Sequence, residues 1–146
     1  TLAEVKAAKV SARHPGALVI GADQILECAG RWFDKPVDRA EAAAHLRTLA
    51  SQTDSLATSV CIFRDGTPLW HHNAVARLAM RPLSDPFIAD YLAAMGEDAL
   101  STVGAYQIEG LGAQLFTDIE GDYFTILGLP LLPVLEFLRA NGVLAR

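Results

Sequence analysis

The chain has 146 residues, 51% of them hydrophobic and 20% charged, which is the length of one domain with ample material for a core. Its net charge is −5, from 12 Lys and Arg against 17 Asp and Glu, so it lacks the basic field that steers a protein onto a nucleic-acid polymer. No run approaches the ~20 apolar residues that span a bilayer, and no signal peptide is visible.

The chain begins at Thr1, directly in a helical pattern. Residues 2–13, "LAEVKAAKVSAR", are rich in helix formers, and Leu2, Val5 and Val10 can share an apolar face. "HPG" at 14–16 stops that helix. "ALVIGA" then reads as a short buried strand, apolar on both faces and so expected to be parallel. A turn at Ala29-Gly30 leads to "RWF". Residues 38–50 predict a helix capped by Asp38, with Ala42, Leu46 and Leu49 along one side.

"SLATSVCIFRDGTPLWHHNAVARLAM" predicts a long hairpin turning at Asp65-Gly66. "LSDPFIADYLAAMG" predicts a helix capped by Ser84 and ending near Gly96. The stretch from Gly104 to Pro130 reads as short strands and glycine turns. "PLLPVLEFLRANG" closes the chain as a helix with proline in its first turn and Gly142 at its end. This order predicts an α/β or α+β fold with a mixed sheet. Cys28 and Cys61 both sit in apolar runs and read as buried reduced thiols, as in a cytoplasmic protein.

Asp23 follows the first strand directly. A carboxylate at a strand's C-terminal end points into the crevice where open α/β sheets bind ligands, and there it could hold a metal or act as a general base. As a turn cap it would need no function. Lys35 precedes Pro36, which holds it extended. It could meet a phosphate as a point charge or be an ordinary solvated lysine, as Lys6 and Lys9 could be on the first helix. Glu109 lies among Gly104, Gly110 and Gly112, where the backbone can approach a ligand and a carboxylate could accept hydrogen bonds from a base edge. Asp118, Glu120 and Asp122 could hold Mg²⁺ or form a polar turn. His71 and His72 are neighbours on a strand, face opposite sides, and do not suit one metal. Ser59 and Ser101 lack a nucleophile-elbow setting.

Four stretches in order, "KAAKVSARHPGALVIGADQ", "DKPVDRAEAAAHLRTLAS", "RPLSDPFIADYL" and "GAYQIEGLGAQLFTDIEGDYFTILGLPL", resemble the Maf family of nucleotide pyrophosphatases over almost the whole chain. The resemblance implies an α/β fold of two lobes around an elongated, mixed, twisted sheet, with the active site in the cleft between them. It implies hydrolysis of nucleoside triphosphates to monophosphate and pyrophosphate with a divalent cation, Mg²⁺ or Mn²⁺. It also implies a link to modified nucleotides and to septum formation, and a homodimer as one assembly option.

By that resemblance Asp23 is the proton acceptor and a metal ligand candidate. Lys6 and Lys35 are the lysines of the Lys-Ala and Gly-Lys-Pro motifs, although "DKP" stands here for "GKP". Gln24 and Glu109 occupy the two positions tied to substrate choice, and this pairing leans to the 7-methyl-GTP group rather than the dTTP/UTP group.

"ASQTDSLATSV" departs from the family's Ser-Gly-x-x-His pattern. The lysine expected shortly before Gly104 is replaced at Thr102 or Val103. The family's Ser-x-Ser-Pro-Arg-Arg loop is also absent, so residues 1–146 read as a single Maf-like domain that is N-terminally incomplete. Without those arginines the chain could lack activity. The alternatives are a non-catalytic nucleotide-binding regulator of division and an unrelated α/β interaction domain.

Overall fold

A computed structural model describes residues 1–146. A five-stranded sheet has the order β2-β1-β3-β4-β5. Its strands are β1 (Val19–Cys28), β2 (Arg31–Phe33), β3 (Thr53–Arg64), β4 (Thr67–Met80) and β5 (Phe116–Glu120). The helices are α1 (Leu2–Ser11), α2 (Arg39–Leu49), α3 (Asp85–Met95), α4 (Tyr123–Leu127) and α5 (Leu131–Ala140). The pairs β1–β2 and β4–β5 are antiparallel. The chain forms two compact units. The first comprises Thr1–Gln24, Thr58–Ala74 and Asp122–Arg146, and the second Ile25–Ala57 and Val75–Gly121.

The local signals for caps and turns are realised as read. Asp38 accepts from the Glu41 N–H and Ser84 from the Phe87 N–H, each satisfying a free amide of the first helical turn. Asp65-Gly66 and Ala29-Gly30 both take positive φ at both positions, the geometry of a tight hairpin turn. Cys28 and Cys61 are free and buried.

Three expectations are corrected. The first strand is not short. β1 runs ten residues, straight through Asp23 and Gln24, and β2 pairs with it antiparallel. On α1, Leu2, Val5 and Val10 are exposed, while Ala3, Ala7 and Ser11 are buried. And most of 103–115 is neither strand nor simple turn but two 3₁₀ segments, Val103–Ala105 and Leu111–Leu115, ahead of β5.

In the first unit, Ala3 and Ala7 of α1 pack on Cys61 and Phe63 of β3. Gly21 of β1 lies beneath the same two alanines, where any side chain would collide with the Ala3 carbonyl and the Ala7 methyl. The helix therefore approaches the sheet by backbone and methyl groups alone. Its C-terminal end is tied to the β3–β4 turn. The Gly66 N–H donates to Ser11 Oγ at 2.9 Å, and the Gly16 N–H to Asp65 Oδ1 at 2.7 Å.

In the second unit, Leu26, Leu46, Leu49, Leu56, Leu78 and Leu115 are fully buried, each contributing about 1.5–3 kcal/mol. Ile88, Tyr91 and Leu92 form the buried stripe of α3. No helix is long and apolar enough to cross a membrane.

Candidate functional site

Lys6 and Asp23 meet. Lys6 Nζ lies 3.7 Å from Asp23 Oδ1. The reason is local. Side chains alternate along a strand, so Asp23 shares its face with Gly21, two residues back. Because Gly21 lets α1 come close, the residue beside Ala7 on that helix is brought over the same face. Asp23 is one-quarter exposed and Lys6 more than half. The pair is thus open to a ligand and screened only by water, so it adds little to stability.

Gln24 projects to the opposite face. Its amide nitrogen donates to Thr58 Oγ1 at 3.0 Å, to the Thr125 carbonyl at 2.8 Å and to the Ile126 carbonyl at 3.1 Å. Thr58 Oγ1 also donates to the Thr125 carbonyl at 3.0 Å. These bonds explain why β1 does not end at Asp23. A polar residue in mid-strand is satisfied by β3 and α4, a pairing that no local signal announces. The N–H groups of Gln24 are spent inside the protein, and its side-chain oxygen takes no part in these bonds.

Lys35 and Glu109 belong to the second unit. Lys35 is exposed in the extended segment after β2. Glu109 is exposed at the tip of a closely built loop. The Gly110 and Gly112 N–H groups both donate to the Gln107 carbonyl, at 3.1 and 3.0 Å. A Cβ on Gly112 would stand 2.5 Å from that oxygen, so only glycine fits. The Tyr91 hydroxyl donates to the Ala105 carbonyl at 2.8 Å, and Ala105 is held at φ 59. The glycines flanking Glu109 thus fold the loop rather than leave it free.

Asp122 resolves differently from the acidic-cluster reading. It caps α4, accepting from both the N–H and the hydroxyl of Thr125. No group of three or more His, Cys, Asp or Glu side chains is placed to hold a metal. His71 and His72 alternate, with His72 stacked on Trp70 at 5.9 Å between centroids. An apolar groove of about 620 Å³ between Trp70, His72, Leu132 and Phe137 contains none of the predicted site residues.

Sequence reasoning passed over Asp54. It is 1% exposed, and neither carboxylate oxygen has a hydrogen-bond partner. Burial pushes its carboxyl up to about 7. It stands at the His position of the Ser-Gly-x-x-His pattern, so the departure itself was the available signal. His45, also buried, is held below the usual imidazole range by burial, with Glu41 opposing.

The chain can be compared with known proteins. A family model described as Maf-like protein matches residues 1–141. The chain is 57% identical over 143 residues to a nucleoside triphosphate pyrophosphatase of Paramagnetospirillum magneticum, covering 98% of this chain and 74% of that protein. It is 56% identical to one of Hyphomonas neptunium, covering 98% and 72%. It is 55% identical to a 7-methyl-GTP pyrophosphatase of Rhizobium etli, again covering 98% and 72%.

Proposed function

The chain belongs to the Maf-like protein family, and we propose that it hydrolyses nucleoside triphosphates to the monophosphate and pyrophosphate. The observation that carries this reading is the open Lys6–Asp23 pair. Water attacks the α-phosphorus, the bond from that phosphorus to the bridging oxygen breaks, and pyrophosphate leaves. Asp23 takes the water's proton as general base. Lys6 stands beside that carboxylate and offsets charge developing on the phosphate oxygens. Lys35, exposed and extended, is the second cation for those oxygens.

One carboxylate without a surrounding acidic cluster suits a divalent cation held largely by substrate phosphates and water, as Mg²⁺ commonly is. Asp23 is the residue that would hold it, in place of or beside its role as base. When bound, Mg²⁺ or Mn²⁺ neutralises triphosphate charge.

For the base, we propose a guanine edge, with an N7-methylated guanosine triphosphate as the preferred class. Glu109 supports this reading, because a carboxylate can accept two N–H bonds from guanine and uracil has no such pair. The name of the Rhizobium etli relative supports it as well. Gln24 takes part through its side-chain oxygen, since its nitrogen is engaged.

The test is a nucleotide panel with Mg²⁺, assayed for pyrophosphate. Pyrophosphate from 7-methyl-GTP at higher kcat/KM than from dTTP or UTP is expected. Orthophosphate as the product would overturn the reaction class. A preference for dTTP or UTP would overturn the role of Glu109, and tight binding without turnover would favour a nucleotide-binding regulator.

A further inference from the structure

We propose that Asp54 and Tyr106 form a buried, proton-linked positioning pair that sets how firmly the loop of residues 102–112 is held. Because that loop carries Glu109, the pair would tune affinity for the base. This last step rests on the function proposed above; the control of the loop does not.

Asp54 is the second residue of β3, and both of its oxygens lie in the interior without a protein hydrogen bond. The Tyr106 hydroxyl is likewise buried and unpartnered, as is Thr102 Oγ1 in the same loop. Burial raises the Tyr106 hydroxyl and the Cys28 thiol, and in both the Asp54 carboxylate adds to it, so Cys28 of β1 and Tyr106 of the loop lie within electrostatic reach of Asp54. Tyr91 of α3 acts on Tyr106, and Glu27 on Cys28, in the same direction. All of these groups are neutral or acidic. No cation offsets a charge on Asp54, and desolvation alone moves its carboxyl.

An ionised Asp54 must therefore be reached by water or carry an uncompensated buried charge. The sheet hydrogen bonds hold β1 and β3. The loop is held by the Tyr91–Ala105 bond, by its tight turns and by the Tyr106 ring, which meets Phe116 edge-on at 4.8 Å. It is the covering element that can yield. The protonated carboxyl carries no charge and suits the buried site. Ionisation favours opening at Tyr106.

Amide hydrogen exchange at residues 102–112 tests this, measured from pH 6 to 8 and corrected for the intrinsic rate. In the wild-type chain protection should fall by about tenfold over that range, and in Asp54→Asn it should stay level. Equal behaviour of the two proteins overturns the proposal. Should the variant not fold, the carboxyl carbon of Asp54 in the wild-type protein decides by NMR. A midpoint near neutrality supports the pair and one below pH 5 overturns it.

With 7-methyl-GTP as substrate, KM should rise several-fold with pH in the wild type and not in Asp54→Asn, at unchanged kcat. A chain with no turnover would refute the proposed function and leave the exchange result to decide this inference.

Discussion

Gly21 and Ala7 touch so closely that a Cβ on Gly21 would stand 2.8 Å from that of Ala7, and 2.6 Å from the Ala3 carbonyl oxygen. The carbonyl is backbone and cannot swing aside, so Gly21→Ala must push α1 from the sheet. Overpacking of this kind costs about 1–3 kcal/mol. The same displacement carries Lys6 away from Asp23. Urea unfolding should show the loss of stability, and turnover should fall with it. An alanine variant with wild-type stability would show that the helix has room the packing denies.

The Lys6–Asp23 pair separates stability from activity. An ion pair this open is worth about 0–1 kcal/mol, so Asp23→Asn and Lys6→Met should unfold at nearly the wild-type urea midpoint. In the proposed role of general base, Asp23 would account for about 10²–10⁴ in rate. Asp23→Asn should lose turnover by that factor, and Lys6→Met by less, with a raised KM for the triphosphate. Full activity in Asp23→Asn would remove it from the reaction.

What the sequence disclosed follows from range. Asp38, Ser84 and the Asp65-Gly66 turn act on amides within three residues, so their chemistry is written locally. The buried side of α1 was misjudged because hydrophobicity favoured Leu2, Val5 and Val10. The deciding feature was space, which Ala3, Ala7 and Gly21 supply from two distant segments. Residues 103–115 were misjudged because glycines suggested turns between strands, whereas the Tyr91 hydroxyl, far along the chain, helps fix a 3₁₀ path there. In the candidate site, the motifs pointed to Asp23 and Lys6 singly, and that the two meet at 3.7 Å follows only from the fold. That Asp23 and Gln24 serve opposite faces became visible only once β1 was known to continue through them.

Asp54 makes a signed prediction for stability. Its carboxyl is raised in the folded state from 3.8 to about 7. The folded chain then holds a proton that the unfolded chain has released. Stability from this group is fully present below pH 3.8 and is lost as pH rises through 7, by about 4 kcal/mol at most, at 1.36 kcal/mol per unit. Asp54→Asn should lack this decline and be the more stable protein above pH 7. Urea midpoints of both proteins at pH 5 and pH 8 check the sign.

Ser51 sits at φ 62 between α2 and β3, where the related pattern has glycine. A side chain in the left-handed region costs about 1–2 kcal/mol. Glycine relieves that strain and returns part of the gain as unfolded-state entropy. Ser51→Gly should therefore stabilise the chain by about 0.5–1 kcal/mol, read as a Tm higher by about 2 °C. An unchanged or lower Tm would mean that the turn already relaxes around serine.

Gln24→Glu tests whether this side chain fastens α4 or reads the base. The substitution keeps the shape and replaces a donor that serves the Thr125 and Ile126 carbonyls with an acceptor. An ionised carboxylate against two carbonyl oxygens should cost about 3 kcal/mol. Below its own pKa the new carboxyl regains one O–H to donate, so the loss should shrink as pH falls toward 4 and grow as pH rises. If Gln24 acts by fastening α4, turnover of every nucleotide should drop together, in step with stability. If its oxygen reads the base, the ratio of kcat/KM between 7-methyl-GTP and UTP should change at a pH where the variant is fully folded. A variant as stable as the wild type at pH 7 would mean that the amide nitrogen does not hold α4 in solution.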